Sequence, residues 1–270
     1  MVNAIMKRDI QERGLDALVR NKGFSFTRTF VPYTSGEIGN YYVQSVAVTN
    51  KGDDYREAIN SICDLINHVL LPGHYDVISG GESRDWDFSN PAAFSLGKAH
   101  AKIYKNGNII GADVEGKRVV HVADLNNEGS SVRDIWLPSL TKAGGKLEKV
   151  FFYVDRLEDG VKVMKELSLD YNSVVPLDEN AWDYLSKNYG NDIGLIGKVY
   201  DSIRERMKDK ESWAKRMLLS EAGLETFAEL SRTNSEKARK ILDKGYPYLK
   251  DEIVDRLKHE HPDVPKLLFS

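Results

Sequence analysis

The sequence is poor in the features that would tie it to a disulfide framework, a membrane or a polyanion. Its single cysteine, Cys63, leaves nothing to cross-link, and its place in an apolar helical pattern marks it as a buried structural thiol. Met1 to Arg20 carries charges throughout and has no apolar run of signal-peptide or membrane length, so a soluble, cytoplasmic protein with no membrane partner is expected. Lysine and arginine number 38 against 41 acidic residues, a net charge of −3, which leaves no field to attract nucleic acid. The histidines show no metal-ligand spacing: His68, His74 and His100 are scattered, and His259 and His261 sit on a charged tail. There is no internal repeat and no low-complexity linker. After Asp178 there is no strand signal either.

What is present is organised around the stretch Lys117 to Asp134. A short apolar run reads as a buried strand, reaches Asp124, turns through a small polar loop ending Gly129-Ser130-Ser131, and enters an amphipathic segment. In such a strand-loop-helix unit the loop N–H groups and the helix N-terminus form an anion site. A carboxylate at the strand's end can hold sugar hydroxyls or a metal ion. A phosphorylated sugar would fit, although strand-loop-helix turns of this composition also occur without any ligand.

The flanking sequence predicts an α/β fold. Residues 3–22 form a first helix stopped by Gly23. Residues 24–49 are β-rich, with strands around Phe24–Val31 and Tyr41–Val48 and a turn at Ser35-Gly36. Asp53 and Asp54 cap a helix carrying Ile59, Ile62, Leu65, Ile66 and Val69 on its apolar side. Tyr75–Ile78 is a strand running into Ser79-Gly80-Gly81, a helix follows over about Pro91–Gly97, and Ala101–Tyr104 is the next strand. Asn106-Gly107 is a two-residue hairpin signal before Ile109-Ile110. Beyond the central unit come the strand Val150–Val154, a helix to Leu167 and the strand Ser173–Val175. Strands alternating with helices argue for a mostly parallel sheet covered on both faces, with its binding site at the carboxyl ends of the strands. From 178 onward, helical segments near 178–188, 192–208, 211–221, 224–231, 235–244 and 248–259 are expected.

Several of these stretches together resemble orotate phosphoribosyltransferase, of the type I phosphoribosyltransferase family. They are Ser35-Gly36 with Tyr41-Tyr42, the strand and glycine loop Tyr75–Gly81, the segment Val119–Ser131, the segment Val154-Asp155-Arg156-Leu157-Glu158-Asp159-Gly160, and Val174–Leu185. The resemblance implies a mostly parallel sheet flanked by helices over residues 1–188, with a hood at about 1–50 and a helical extension at 189–270. It implies transfer of ribose 5-phosphate from phosphoribosyl diphosphate to orotate or a similar nucleobase, with Mg2+ on the diphosphate, a place in pyrimidine biosynthesis, and a homodimer. Catalysis of that kind is positioning and electrostatics.

By the same resemblance Asp124 is the catalytic acid that holds the ribose hydroxyls. Asn126, Asn127, Gly129, Ser130 and Ser131 receive the 5-phosphate, and Arg156 meets the carboxylate of the base. Gly80, Gly81, Arg84, Tyr41, Tyr42 and Lys105 complete the substrate contacts, and no protein metal ligands are assigned. The chain departs from the family at named positions. Ala123 replaces the first of two adjacent acids, Glu128 stands inside the phosphate loop, and Thr34 replaces a lysine. Only Lys105–Asn108 fills the place of the flexible lid. The stretch Gly81–Asn90 is a polar, aromatic insertion in which Arg84 offers a replacement cation. His121 reads as a core histidine, Trp86 as a loop pin, and Asp155–Asp159 also reads as a helix N-terminus with acids near its dipole. The departures define a second reading, a catalytically inactive binding or regulatory protein on the same scaffold.

Overall fold

A computed structural model describes residues 2–269, which fall into two compact units. The first comprises residues up to 23 and 44–185. The second comprises 24–43 and 186–270. The hairpin assigned from sequence to the hood of the first domain therefore groups with the C-terminal helices, and the units are not consecutive in sequence.

In the first unit a six-stranded sheet runs in the order β5-β4-β3-β6-β7-β8, where β3 is Val77–Gly81, β4 Ala99–Ile103, β5 Ile109–Gly111, β6 Arg118–Asn126, β7 Lys146–Asp155 and β8 Tyr171–Pro176. Five strands are parallel and β5 pairs antiparallel at the edge. The central strand β6 is built from Val119, Val120 and Val122, all fully buried, as expected of a strand covered on both faces. One face packs Val119, Ala123, Val150 and Phe152 against Val132, Trp136, Leu140, Val163 and Met164. These come from a helix that begins as a π turn at Val132–Trp136 and continues as α4 (Leu137–Lys142), and from α5 (Asp159–Glu166). The other face is covered by α1 (Val2–Arg20), α2 (Gly52–Val69) and α3 (Asp85–Ser95). The unit closes within α6 (Glu179–Ile193).

At three places the local structure departs from what the sequence predicts. Val46–Val48, read as strand, lies in a short 3-10 helix, Ser45–Asn50. Asp54 does not cap α2; it is buried and pairs with Arg20 at 2.6 Å and with Asn21 at 2.8 Å. The stretch read as a long polar loop before a helix at Pro91 is a turn, Glu82–Arg84, followed by α3 from Asp85, with Pro91 inside the helix. A proline there removes the N–H that would bond the carbonyl four residues back. That carbonyl, of Asp87, accepts instead from the Tyr55 hydroxyl.

The second unit pairs β1 (Phe24–Pro32) with β2 (Ile38–Val43) in an antiparallel hairpin. Its helices are α7 (Lys198–Lys208), α8 (Lys210–Leu218), α9 (Glu221–Thr233), α10 (Ser235–Lys240), α11 (Lys250–Glu260) and a last short helix missed in the sequence, α12 (Val264–Phe269). Phe30 and Ile38 of the hairpin share one apolar core with Trp213, Leu224, Phe227, Ile241 and Ile253. Asp209, Ser220 and Asn234 cap α8, α9 and α10 by accepting from backbone N–H groups, the role these side chains fill best. No described helix is long and apolar enough to cross a membrane.

Candidate functional site at the carboxyl ends of β3 and β6

The sheet order reverses between β3 and β6: the chain leaves β3 outward to β4, then returns to lay β6 on the other side. The crevice at the carboxyl ends of two such strands is where open α/β sheets bind ligands. Backbone pairing between β3 and β6 stops at Ser79 opposite His121. Past that pair the strand ends carry Gly80-Gly81 on one side and Asp124 on the other.

Asp124 is buried, with its Oδ2 accepting from the Ser45 hydroxyl at 2.8 Å and lying 3.7 Å from Arg84 Nε. Burial, reinforced by the neighbouring carboxyl of Asp85, pushes its ionisation up to about 7, against the pull of Arg84. Arg84 thus stands beside the acid as a partly compensating cation. Gly81 packs its backbone so closely on Trp136 that a Cβ would lie 2.2 Å from the indole. Gly80 offers its carbonyl to Trp86 Nε1 at 2.9 Å, so Trp86 does pin the turn, and it packs edge-on against Tyr104. His121 is fully buried, meets Ser79 Oγ at 2.9 Å through Nδ1, and stacks on Trp136. Burial holds its ionisation far below neutrality, so it is a neutral imidazole.

The phosphate-loop residues leave β6 together. Asn126 is buried and donates through Nδ2 to Asp155 Oδ1 at 3.2 Å, which makes it a strut between strand ends. Gly129 takes φ +67°, a conformation that favours glycine. Ser130 and Ser131 begin the helix, whose first N–H groups have no partner within it. Asn127 Nδ2 lies 3.4 Å from Glu128 Oε1, and Asn127 Oδ1 accepts from Arg156 Nη1 at 3.0 Å. Arg156 is itself buried, with Nη2 3.8 Å from Glu158. It clamps the loops after β6 and β7 to each other. Lys105 lies in the tight turn joining β4 to β5, where its N–H donates to Glu82 Oε2 at 2.8 Å. Tyr41 and Tyr42 are on β2 in the second unit, Tyr41 buried and Tyr42 exposed.

Asp85 escaped the sequence reading. Its carboxylate, almost fully buried, accepts from the backbone N–H of Asp124 at 2.9 Å and of Gly81 at 3.1 Å. The available signal was an acid just after Gly-Gly and ahead of Phe88, Ala92 and Ala93 at helical spacing, the mark of a first helical turn.

The sheet and its switch-point crevice define the type I phosphoribosyltransferase fold, in a divergent form. The chain is 27% identical over 152 residues to orotate phosphoribosyltransferase of Sulfolobus acidocaldarius, covering 54% of this chain and 75% of that one. The solved orotate phosphoribosyltransferase of Francisella tularensis superposes with a TM-score of 0.59 at 17% identity, over 72% of this chain and 96% of its own. That of Mycobacterium tuberculosis in complex with 5-phospho-alpha-D-ribosyl 1-diphosphate does so with a TM-score of 0.50 at 23% identity, over 63% and 98%. No protein-family model matches the sequence.

Proposed function

We propose that this protein is a phosphoribosyltransferase that moves ribose 5-phosphate from phosphoribosyl diphosphate to orotate or a similar nucleobase, in pyrimidine nucleotide synthesis. The observation that carries the reading is Asp124 at the topological switch point, followed at once by a loop that enters a helix at Ser130. The 5-phosphate would rest on the N–H groups of Gly129, Ser130 and Ser131, where the helix dipole favours an anion. Asp124 would accept from the ribose hydroxyls and favour the positive charge that grows at the anomeric carbon as diphosphate leaves and the ring nitrogen bonds. Arg84, whose side chain is more than half exposed beside Asp124, would offset the charge of the leaving diphosphate. Arg156 would meet the base's carboxylate in place of its long contact with Glu158. Asn126 would act as the strut beneath the loop.

Mg2+ would enter as part of the donor, chelated by the diphosphate. Among the described residues no group of three or more His, Cys, Asp or Glu side chains is placed to hold an ion of its own. The test is calorimetric titration with phosphoribosyl diphosphate and Mg2+, then orotate, with consumption of orotate followed spectroscopically. Saturable donor binding and turnover, both lost in Asp124→Asn, support the reading. No donor binding at millimolar concentration overturns it. Donor binding without transfer to any base leaves the binding-protein alternative. Sedimentation velocity of the same samples tests the homodimer.

A further inference from the structure

The position where the resembled family carries its first acid is Ala123, and its side chain lies in the apolar cluster with Val77, Val119, Trp136 and Phe152. A carboxylate there would be stripped of water with no partner. Yet a second carboxyl group does reach the crevice, from another element. Asp85, at the start of α3, fills the fork that opens where β3 and β6 stop pairing. One of its oxygens takes the N–H of Asp124 at 2.9 Å and the other the N–H of Gly81 at 3.1 Å. The Asp85 carboxyl also raises the ionisation of the Asp124 side chain beside it.

The surroundings of this pair are fixed by few groups. Arg84 Nε lies 3.7 Å from Asp124 Oδ2, and the Ser45 hydroxyl donates to the same atom at 2.8 Å. His121 Nε2, on β6, is 3.7 Å from Asp85 Oδ2 and is held neutral by burial. Asp87, two residues along α3, feels the charge of Asp124, and His100 interacts electrostatically with His121 and is hydrogen-bonded to Ser89. One exposed arginine is the only close cation among these groups. Two buried carboxylates side by side cannot both ionise against so little compensation, and such a pair titrates as a unit.

We infer that Asp85 is the second acid of this site, a positioning residue that fixes the Asp124 main chain and shares one proton with its side chain. The pair then carries a single negative charge and presents both a donor and an acceptor. A vicinal diol, which itself offers both, is the matching ligand chemistry. This function of the pair rests on the phosphoribosyltransferase reading; the shared proton does not.

The experiment is a carboxyl-carbon NMR titration of aspartate-labelled, ligand-free protein, run beside donor binding with phosphoribosyl diphosphate and Mg2+ across the same pH range. In the wild type, Asp85 and Asp124 should titrate in two coupled steps. In Asp85→Asn the step of Asp124 should fall by at least about one pH unit, because the neighbouring negative charge is gone. By reciprocity Asp85 should fall equally in Asp124→Asn, which covers the case that Asp85→Asn does not fold. Donor affinity in Asp85→Asn should drop about tenfold, with its pH midpoint moving down in step. A merely structural Asp85 would lower affinity at every pH and leave the midpoint in place. Unmoved titration of each aspartate when the other is replaced overturns the pair, whether or not donor binds. Coupled titration in a protein that binds no donor keeps the pair and overturns the phosphoribosyltransferase reading alone.

Discussion

Asp124 and Asp155 lie in the last residues of adjacent parallel strands. β6 and β7 pair to their last residues, Leu125 opposite Val154 and Asn126 opposite Asp155. Both carboxyls are buried, and burial raises both above the ordinary range, Asp155 to about 6. They differ in what surrounds them. Asp155 accepts from Asn126 Nδ2 at 3.2 Å and from Leu157 N–H at 2.9 Å, so its bonds hold the loop that follows it. Asp124 faces a hydroxyl, a half-exposed arginine and a second carboxyl, and these groups come from elements distant in sequence. A raised ionisation marks burial in both cases; Asp155 keeps an oxygen, Oδ2, with no hydrogen-bond partner beside the likewise unpartnered Asn126 Oδ1, so what sets Asp124 apart is the charge and origin of its neighbours.

The largest expected difference is in turnover. Asp124→Asn keeps size and an acceptor oxygen but leaves the pair's charge on Asp85, and should cut kcat/KM for the phosphoribosyl transfer by about 10²-fold or more, the scale of losing a preorganised transition-state contact. Its melting temperature at pH 8 should stay close to that of the wild type, since the pair's one negative charge passes to Asp85. Asp155→Asn should leave kcat/KM within a few-fold. Equal losses in the two variants would erase the distinction.

Stability should rank the pair the other way. Asp155→Ala strands the buried Asn126 amide and takes the acceptor from the Leu157 N–H, and should cost about 1–3 kcal/mol, the penalty for a buried donor left unpaired. Chemical denaturation of Asp155→Ala beside Asp124→Ala measures it. The leucine at 157 adds to the expectation, because its backbone sits at φ +55° and is held there by the bond to Asp155.

How much of this was legible in sequence depends on the range of the interactions. The sheet was readable because Val119–Val122 and Val150–Val154 are β-branched and aromatic runs bounded by turn residues, and because Asn106-Gly107 closes a tight hairpin as its composition requires. Motif order picked out Asp124 and Arg84 as candidate site residues. The start of α3 was not readable, since Pro91 reads as the first turn of a helix and its acceptance inside one depends on Tyr55, far away in the chain. Val46–Val48 has strand composition, but the segment instead forms a 3-10 turn whose Ser45 reaches Asp124. The hairpin's membership of the second unit hangs on Phe30 and Ile38 finding Trp213 and Leu224, contacts that no local pattern encodes. Arg156 was picked out by its motif, while its engagement with Asn127 and Glu158 was not foreseeable.

The pH dependence sharpens the comparison further. A carboxyl whose ionisation is raised on folding stabilises the protein below its unfolded value, and that contribution is lost as pH rises through the folded value. Relative to Asp155→Asn, the wild type should therefore lose stability from about pH 4 upward and level off near pH 6. Relative to Asp124→Asn the loss should continue to about pH 7. Taken as differences from wild type in urea midpoints, the two curves should separate by roughly 1–2 kcal/mol above neutrality. Parallel curves would mean that both acids ionise alike.

The smallest effect tests the hydroxyl. Ser45 donates to Asp124 Oδ2 at 2.8 Å from a short turn that packs against β6, and a hydrogen bond to a charged acceptor favours the ionised form. Ser45→Ala should therefore raise the ionisation of Asp124 further and lower stability by about 1 kcal/mol above neutrality, where the carboxylate most needs the donor. Below about pH 5 a protonated Asp124 has little use for it, and the cost should shrink. Donor affinity should fall a few-fold near pH 7 and recover at pH 9, where even the weakened acid is ionised. A loss of stability that is the same at every pH would assign Ser45 to packing of the turn and leave the charge of Asp124 to Arg84 and Asp85.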